Sequence, residues 1–475
     1  MRRMVLLLLA LAACGEPSAA RLSPTDRFVF PAAVALTARQ GVGHALLVAS
    51  GNYDLNYDGS DGGTVLSVDP SPYVAADGSG GSAGRPGGAL VKLGDGAHVG
   101  SFAGQMVVVD STTCPVAGAT ATPPVPTPVE ALVATRFADQ IWRLPLDQDG
   151  HLGPCAGAGC TVPADARLRD PFGLALACRP DGARRSAFVS YLRTSDLGGA
   201  TYQGYLAEID LDAPAAPARP LLTGPAGLSG LAYDAQTDRI FATSELLGAA
   251  PVYILDLPAC PASQAGCPEP VASVVNLWPS RPGLDLQSIA LSNPQAGLAR
   301  RAYVTARVYD SVLASIIMAR PSGDLASVLL VLDAEDDLTG HPSFNLLRVV
   351  PIGMGPSQVV VLPARDPDPV SHLPRRDVVL ASSGVDGVVS VYDDEQGRVA
   401  HEIPIDVGTG APEAGRAPFG MAAELLGGAP KVARVYVAAV QQHVVGIVDV
   451  PLDSPGQAHA LRDAGGALIR IGGFQ

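Results

Sequence analysis

The chain has 475 residues, 47% of them hydrophobic and 16% charged, with a formal net charge of −14. The hydrophobic share is ample for a core. The acidic balance excludes the basic stripe that nucleic-acid phosphates require and a polybasic grip on anionic lipid.

The chain opens on a targeting pattern. Arg2 and Arg3 form a basic region, and Met4 to Ala13 form an apolar run too short to span a bilayer comfortably, which reads as a secretory signal. Leu11-Ala12-Ala13-Cys14 is similar to the lipobox of bacterial lipoproteins. That resemblance implies cleavage before Cys14, lipid such as palmitate on its thiol, and acylation of the new amino group. Several acyl chains on one residue make a lasting anchor where one is marginal. An ordinary signal peptide with a chance cysteine is the rival reading. Residues 1–13 are therefore read as signal peptide, 14–26 as lipidated cysteine and tether, and 27–475 as one domain. No later stretch offers 18 uncharged apolar residues, so no further spanning helix is expected.

From there the chain repeats a grammar seven times: a short β-type run ending in small residues, then a second run ending in Asp. The first runs are Ala45–Ala49, Ala131–Ala134, Ala187–Ser190, Ile240–Ala242, Ala302–Thr305, Val378–Ala381 and Val435–Ala438. The second close at Asp69, Asp147, Asp210, Asp256, Asp333, Asp393 and Asp449. Self-similarity at a period of tens of residues marks a repeat architecture. The predicted fold is all-β, a seven-bladed β-propeller of four-stranded antiparallel blades near 31–97, 98–167, 168–223, 224–281, 282–352, 353–414 and 415–475. Strand A starts after a Gly/Pro lead-in, as in Asp170-Pro-Phe-Gly and Ala417-Pro-Phe-Gly. Strand B is the small-residue run, strand C ends in Asp, and strand D is variable, as in Ala89–Leu93 and Asn345–Val350. Each closing Asp is expected to cap an Asx-type turn. Asp26–Phe30 is a candidate extra strand for closing the ring, and Ala467–Ile471 a candidate last outer strand.

Tyr303-Val304-Thr305, Gly355-Pro356 and Arg416-Ala-Pro418 resemble the YVTN class of β-propeller repeats. That family occurs on bacterial surfaces and in the periplasm. It includes binding proteins and, among seven-bladed relatives, lactonases and quinone-dependent dehydrogenases. The resemblance therefore supports fold and leaves function to the site.

The B-to-C loops bring Arg136, Asp139, Arg193, Asp196, Glu245, Arg307, Asp386 and His443 to one expected funnel. A concave mouth with convergent polar groups is a binding-site candidate, and its three arginines suit a carboxylate or sugar acid. A solvated rim of local salt bridges is the alternative. Asp54, Asn56, Asp58 and Asp61 follow the opening of a calcium loop, although its twelfth position is Val65 rather than Glu; a polar turn is the rival, and calcium is the only cofactor the sequence raises.

Six cysteines remain beyond Cys14, an even number suited to export and disulfides. Cys260 and Cys267 bracket a Pro/Gly loop, and Cys155 and Cys160 bracket a flexible one. Cys114 with Cys178 would then complete one of fifteen connectivities. A zinc site fits poorly, because the spacings are four and six residues and His151 is the only nearby histidine.

The expected function is that of a cell-envelope scaffold, anchored by its lipid at the outer membrane or periplasmic face, binding an envelope protein or small acidic ligand without catalysis. The alternative is a metal-dependent lactonase or lyase with its site at the funnel. A quinone-dependent dehydrogenase is disfavoured by the presence of only Trp142 and Trp278.

Overall fold

The seven small-residue runs all fall on the second strand of an antiparallel sheet, and the sheets follow one another along the chain. The computed structural model describes residues 22–39, 43–54, 56–57, 62–74, 90–111, 113–115, 128–155, 157–163, 168–179, 182, 184–194, 203–225, 227–245, 250–258, 260, 266–277, 283–308, 326–338, 340–405, 418–462 and 468–472. The signal segment, Cys14 and most of the tether lie outside these.

Numbered from the axis outward, the first blade is Pro31–Ala38, His44–Ser50, Gly63–Val68 and Ala97–Val99. The second has Ala103–Asp110, Pro128–Thr135 and Gln140–Pro145. The third has Leu168–Cys178, Arg185–Thr194, Gln203–Asp210 and Arg219–Pro225. The fourth has Leu228–Asp234, Arg239–Ser244, Pro251–Asp256 and Val271–Asn276. Leu284–Leu291, Arg301–Val308, Ala326–Asp333 and Leu346–Pro351 make the fifth. Pro356–Val361, Val378–Ser383, Val388–Asp393 and Arg398–Pro404 make the sixth. The seventh has Pro418–Leu426, Val432–Ala439, Val444–Pro451 and His459–Ala460, with Arg470–Gly472 also pairing its third strand. First strands of neighbouring blades pack together, and that of the seventh packs on that of the first, so the ring closes. This is a seven-bladed β-propeller.

The middle strands read as unbroken apolar runs because blades cover both of their faces; Val304, Val328 and Leu330 of the fifth blade, for example, pack with Phe241 and Ile254 of the fourth. The small residues have a further cause. Each inner strand carries a bulge facing the small end of strand B. In the third blade the Gly173 N–H donates to Ser190 Oγ at 2.8 Å, and that hydroxyl donates to the Ser229 carbonyl of the fourth blade at 2.6 Å. Thr243 accepts from Gly230 at 3.0 Å and Ser382 from Gln358 at 3.1 Å, the latter donating onward to Phe419 O at 2.8 Å. The hydroxyls therefore bridge blade to blade. Gly173 is required at its bulge, because a Cβ there would lie 2.0 Å from the Ser229 carbonyl oxygen.

The closing aspartates do cap turns. Oδ1 of Asp69, Asp147, Asp210, Asp333 and Asp393 accepts the backbone N–H two residues on, at 2.8–3.1 Å. Asp256 and Asp449 instead pair with Arg239 and Arg434 of strand B. Asp333→Ala is expected to destabilise the protein by about 1 kcal/mol in denaturant titration, the worth of one net hydrogen bond.

Three details differ from expectation. The second blade has three described strands; Thr161, just past the Cys155–Cys160 disulfide, bridges to Trp142 where a fourth would lie. Outer strands of the first and seventh blades are broken into short pieces. Asp26–Phe30 forms no strand; Phe28 is instead buried between the seventh and first blades with Val48, Tyr436 and Ile471. The chain turns sharply there, with Phe30 at φ 54°. The cysteines pair as Cys114–Cys178, Cys155–Cys160 and Cys260–Cys267.

Candidate functional site at the channel mouth

The loops from B to C and from D to the next A share one rim. On that rim lie Phe30, Asn52, Phe102, Asp139, Asp170, Ala250 and His443, all non-glycine residues with φ between 48° and 60°. Such residues are uncommon, and sites that concentrate backbone strain are candidates for function.

Over the seventh, first and second blades the rim is aromatic. His443 packs on Phe30 at 4.4 Å between centroids with the rings tilted by 57°, Phe30 meets Tyr53 at 6.3 Å, Tyr53 meets Phe102 at 5.1 Å, and Phe102 meets Phe137 at 6.0 Å. The Tyr53 hydroxyl donates to Ala103 O at 3.0 Å, and burial pushes its pKa up to about 12. Phe137 is 54% exposed at the lip.

The rim then turns ionic. Arg136 makes a two-pronged pair with Asp170 (2.5 and 3.2 Å) and lies 5.5 Å above the centre of the Phe172 ring. Burial works against its charge, and Asp170 more than offsets that, so its pKa rises. Arg307 stands 3.9 Å from Asp285, which is buried at the start of the fifth inner strand. Glu245 follows the fourth blade's strand B; burial, with Asp285 adding, raises its carboxyl to about 7 against the pull of Arg307 and Arg136.

The predicted candidates divide accordingly. Arg136, Glu245 and Arg307 belong to this cluster. Asp139 and Asp386 tie loops together, Asp139 accepting from Asp170 N at 2.7 Å and pairing with Arg169 at 2.8 Å, Asp386 accepting from Met354 N at 2.8 Å. His443 Nδ1 accepts the Phe30 N–H at 3.0 Å, and burial lowers its pKa against the pull of Asp54. Arg193 closes its strand, with its side chain outside the described residues, as is Asp196. Asp54 accepts from the backbone and side-chain N–H groups of Asn56 in a local turn, while Asp58 and Asp61 lie outside the described residues. Among the described residues no three His, Cys, Asp or Glu side chains gather as metal ligands. Asp170 and Asp285 escaped sequence reasoning because they sit on strand-A starts rather than B-to-C loops. The signal was the Asp170-Pro lead-in, which reaches the same rim.

No family model matches the chain, and no curated protein matches its sequence. Among solved structures it is similar to the hydrazine synthase of Kuenenia stuttgartiensis, with TM-score 0.51 and 11% identity over 92% of this chain and 100% of that one. A putative 6-phosphogluconolactonase from Bacteroides uniformis covers 75% of this chain and 79% of its own, at 16% identity and TM-score 0.41. AztD from Citrobacter koseri gives 11% identity, 93% and 90% coverage and TM-score 0.41. At such identity the likeness to the first of these shows the β-propeller fold and nothing of its activity.

Proposed function

We propose that this propeller is a lipid-anchored protein of the bacterial cell envelope that binds a ligand or partner at its channel mouth without catalysis. The observation that carries this reading is the convergence, on one rim, of an aromatic arc with Arg136, Glu245, Arg307, Asp170 and Asp285. Asp170 and Asp285 sit on inner strands and Arg307 on a second strand, which fixes them as a preformed concave site needs. Three disulfides suit an oxidising compartment, and Cys14 is the residue that would carry the lipid.

Two measurements test it. A photo-crosslinking residue at Phe137 is expected to capture a partner in intact cells, whereas one at Val370, 87% exposed on the opposite face, is expected to capture none. Equal or reversed capture would sink the mouth as the binding face. Cys14→Ala is expected to move the protein from the membrane pellet to the soluble fraction; retention in the pellet would remove the lipid anchor from the account. The metal-dependent lactonase reading finds no favouring observation among the described residues, since Asp139 and Asp386 are both engaged in loop hydrogen bonds.

A further inference from the structure

Below the mouth, the inner strands close around a cavity of about 20 Å³, with Gln105, Phe172, Ser357, Gln358 and Phe419 in its wall. Room of that order holds about one water-sized guest and nothing much larger. Each inner strand is a sheet edge, so its unpaired peptide N–H and C=O groups face the axis in alternation and favour neither sign of charge. The side chains decide what the cavity prefers.

Gln105 and Gln358 hold the second position of the inner bulge in the second and sixth blades, where the third, fourth and seventh carry Gly173, Gly230 and Gly420. Both make the same bond. Gln105 Oε1 accepts the Leu174 N–H of the next blade at 2.9 Å, and Gln358 Oε1 accepts the Met421 N–H of its next blade at 2.5 Å. A peptide N–H demands an acceptor, so each amide oxygen is fixed there and each NH2 group points elsewhere. Neither NH2 has a hydrogen-bond partner among the described residues, and neither nitrogen is sealed inside the protein.

The lining contains no charged side chain. A metal cation would find no carboxylate there and both amide oxygens already engaged. A small anion accepts from every N–H it touches, and two carboxamides approach it from blades that are not neighbours. Phe172 and Phe419 hold back bulk water, and hydrogen bonds strengthen as the local dielectric falls.

We propose that the axial cavity is a site for a single halide ion, held by the Gln105 and Gln358 carboxamides with the Ser357 hydroxyl. Its occupation ties the second blade to the sixth across the seam where the seventh meets the first. The site is separate from the mouth and stands whether or not a partner binds there.

The test uses the full chain carrying Cys14→Ala. Melting is compared in sodium chloride, sodium bromide and sodium gluconate at equal ionic strength, and crystals soaked in bromide are read by anomalous scattering. Both halides are expected to raise the melting temperature over gluconate, since a guest that binds only the folded chain stabilises it. The bromide peak is expected in the axial cavity, within hydrogen-bond distance of both amides. Gln105→Glu keeps the oxygen that caps Leu174 and exchanges the NH2 donor for a repelling carboxylate oxygen. It is expected to lower the halide affinity read from the melting series about tenfold or more, the worth of a charge-assisted hydrogen bond. Gln358→Glu is the counterpart where that variant fails to fold. Density in the cavity without anomalous signal, meaning water, overturns the proposal. A bromide peak without halide-dependent melting, or one that persists unchanged in a folded Glu variant, marks an adventitious ion only and overturns it as well.

Discussion

Replacing Cys114 and Cys178 together by alanine is expected to cost about 4 kcal/mol of stability, read as a lower denaturant midpoint. The bond closes a loop of sequence separation 64, and the entropy that a crosslink removes from the unfolded chain grows with loop length, reaching about 4 kcal/mol at this size. It joins the segment after the second inner strand to the end of the third. Both sulfurs are buried in the core between those blades, with Val109, Leu132 and Val189. The Cys155–Cys160 and Cys260–Cys267 bonds close separations of only 5 and 7, so each is expected to contribute about 2 kcal/mol. The ranking is the test. Equal losses from all three, or a loss for Cys114–Cys178 below either short loop, would show that strain or residual unfolded structure, rather than loop entropy, sets their worth.

Asp377→Asn is expected to stabilise the protein at neutral pH. Asp377 is buried between the fifth and sixth blades. It accepts from Asn293 Nδ2 at 2.7 Å and faces the Tyr303 hydroxyl at 3.4 Å, and that hydroxyl also donates to Asp394 at 2.9 Å. Arg301 and Tyr392 hold Asp394. Burial first, then the Asp394 charge, lift the Asp377 carboxyl to about 6 against the Asn293 bond. The unfolded carboxyl ionises near 3.8, so between about pH 4 and 6 the native state holds more protons than the unfolded one. The contribution of Asp377 is therefore complete below about pH 4 and is lost as pH rises through about 6. An amide keeps the Asn293 bond and removes the ionisation, for an expected gain on the order of 2 kcal/mol at pH 7 and little difference at pH 4. Stability curves for both proteins across pH 4–8 would decide it. A variant weaker at pH 7 would mean that its surroundings favour the Asp377 carboxylate over a neutral group.

Much of the ring was legible because its grammar has physical causes. The strand-B runs end at or one residue before Ser190, Thr243, Thr305 and Ser382, whose hydroxyls accept from the inner-strand bulge, and strand C ends in Asp because in five blades its carboxylate caps the next turn. Alternation, the ordinary mark of a strand, is absent because these strands are covered on both sides. The ionic mouth was half legible. Arg136, Glu245 and Arg307 stand at predictable offsets after strand B, whereas Asp170 and Asp285 follow connections of unequal length, which no period announces.

The hydroxyl bridges divide the ring mechanically. Ser190, Thr243, Thr305 and Ser382 sit in four consecutive blades, whereas the matching positions in the seventh, first and second are Ala438, Ala49 and Ala134. Between the seventh, first and second blades the directional bonds sit at the mouth instead: His443 Nδ1 accepts from Phe30 N at 3.0 Å, Asn52 Nδ2 donates to Ser101 Oγ at 2.8 Å, and the Tyr53 hydroxyl donates to Ala103 O at 3.0 Å. The ring is thus stitched deep in the channel over one arc and at its lip over the other, and a guest at the mouth would press first on the shallow seam.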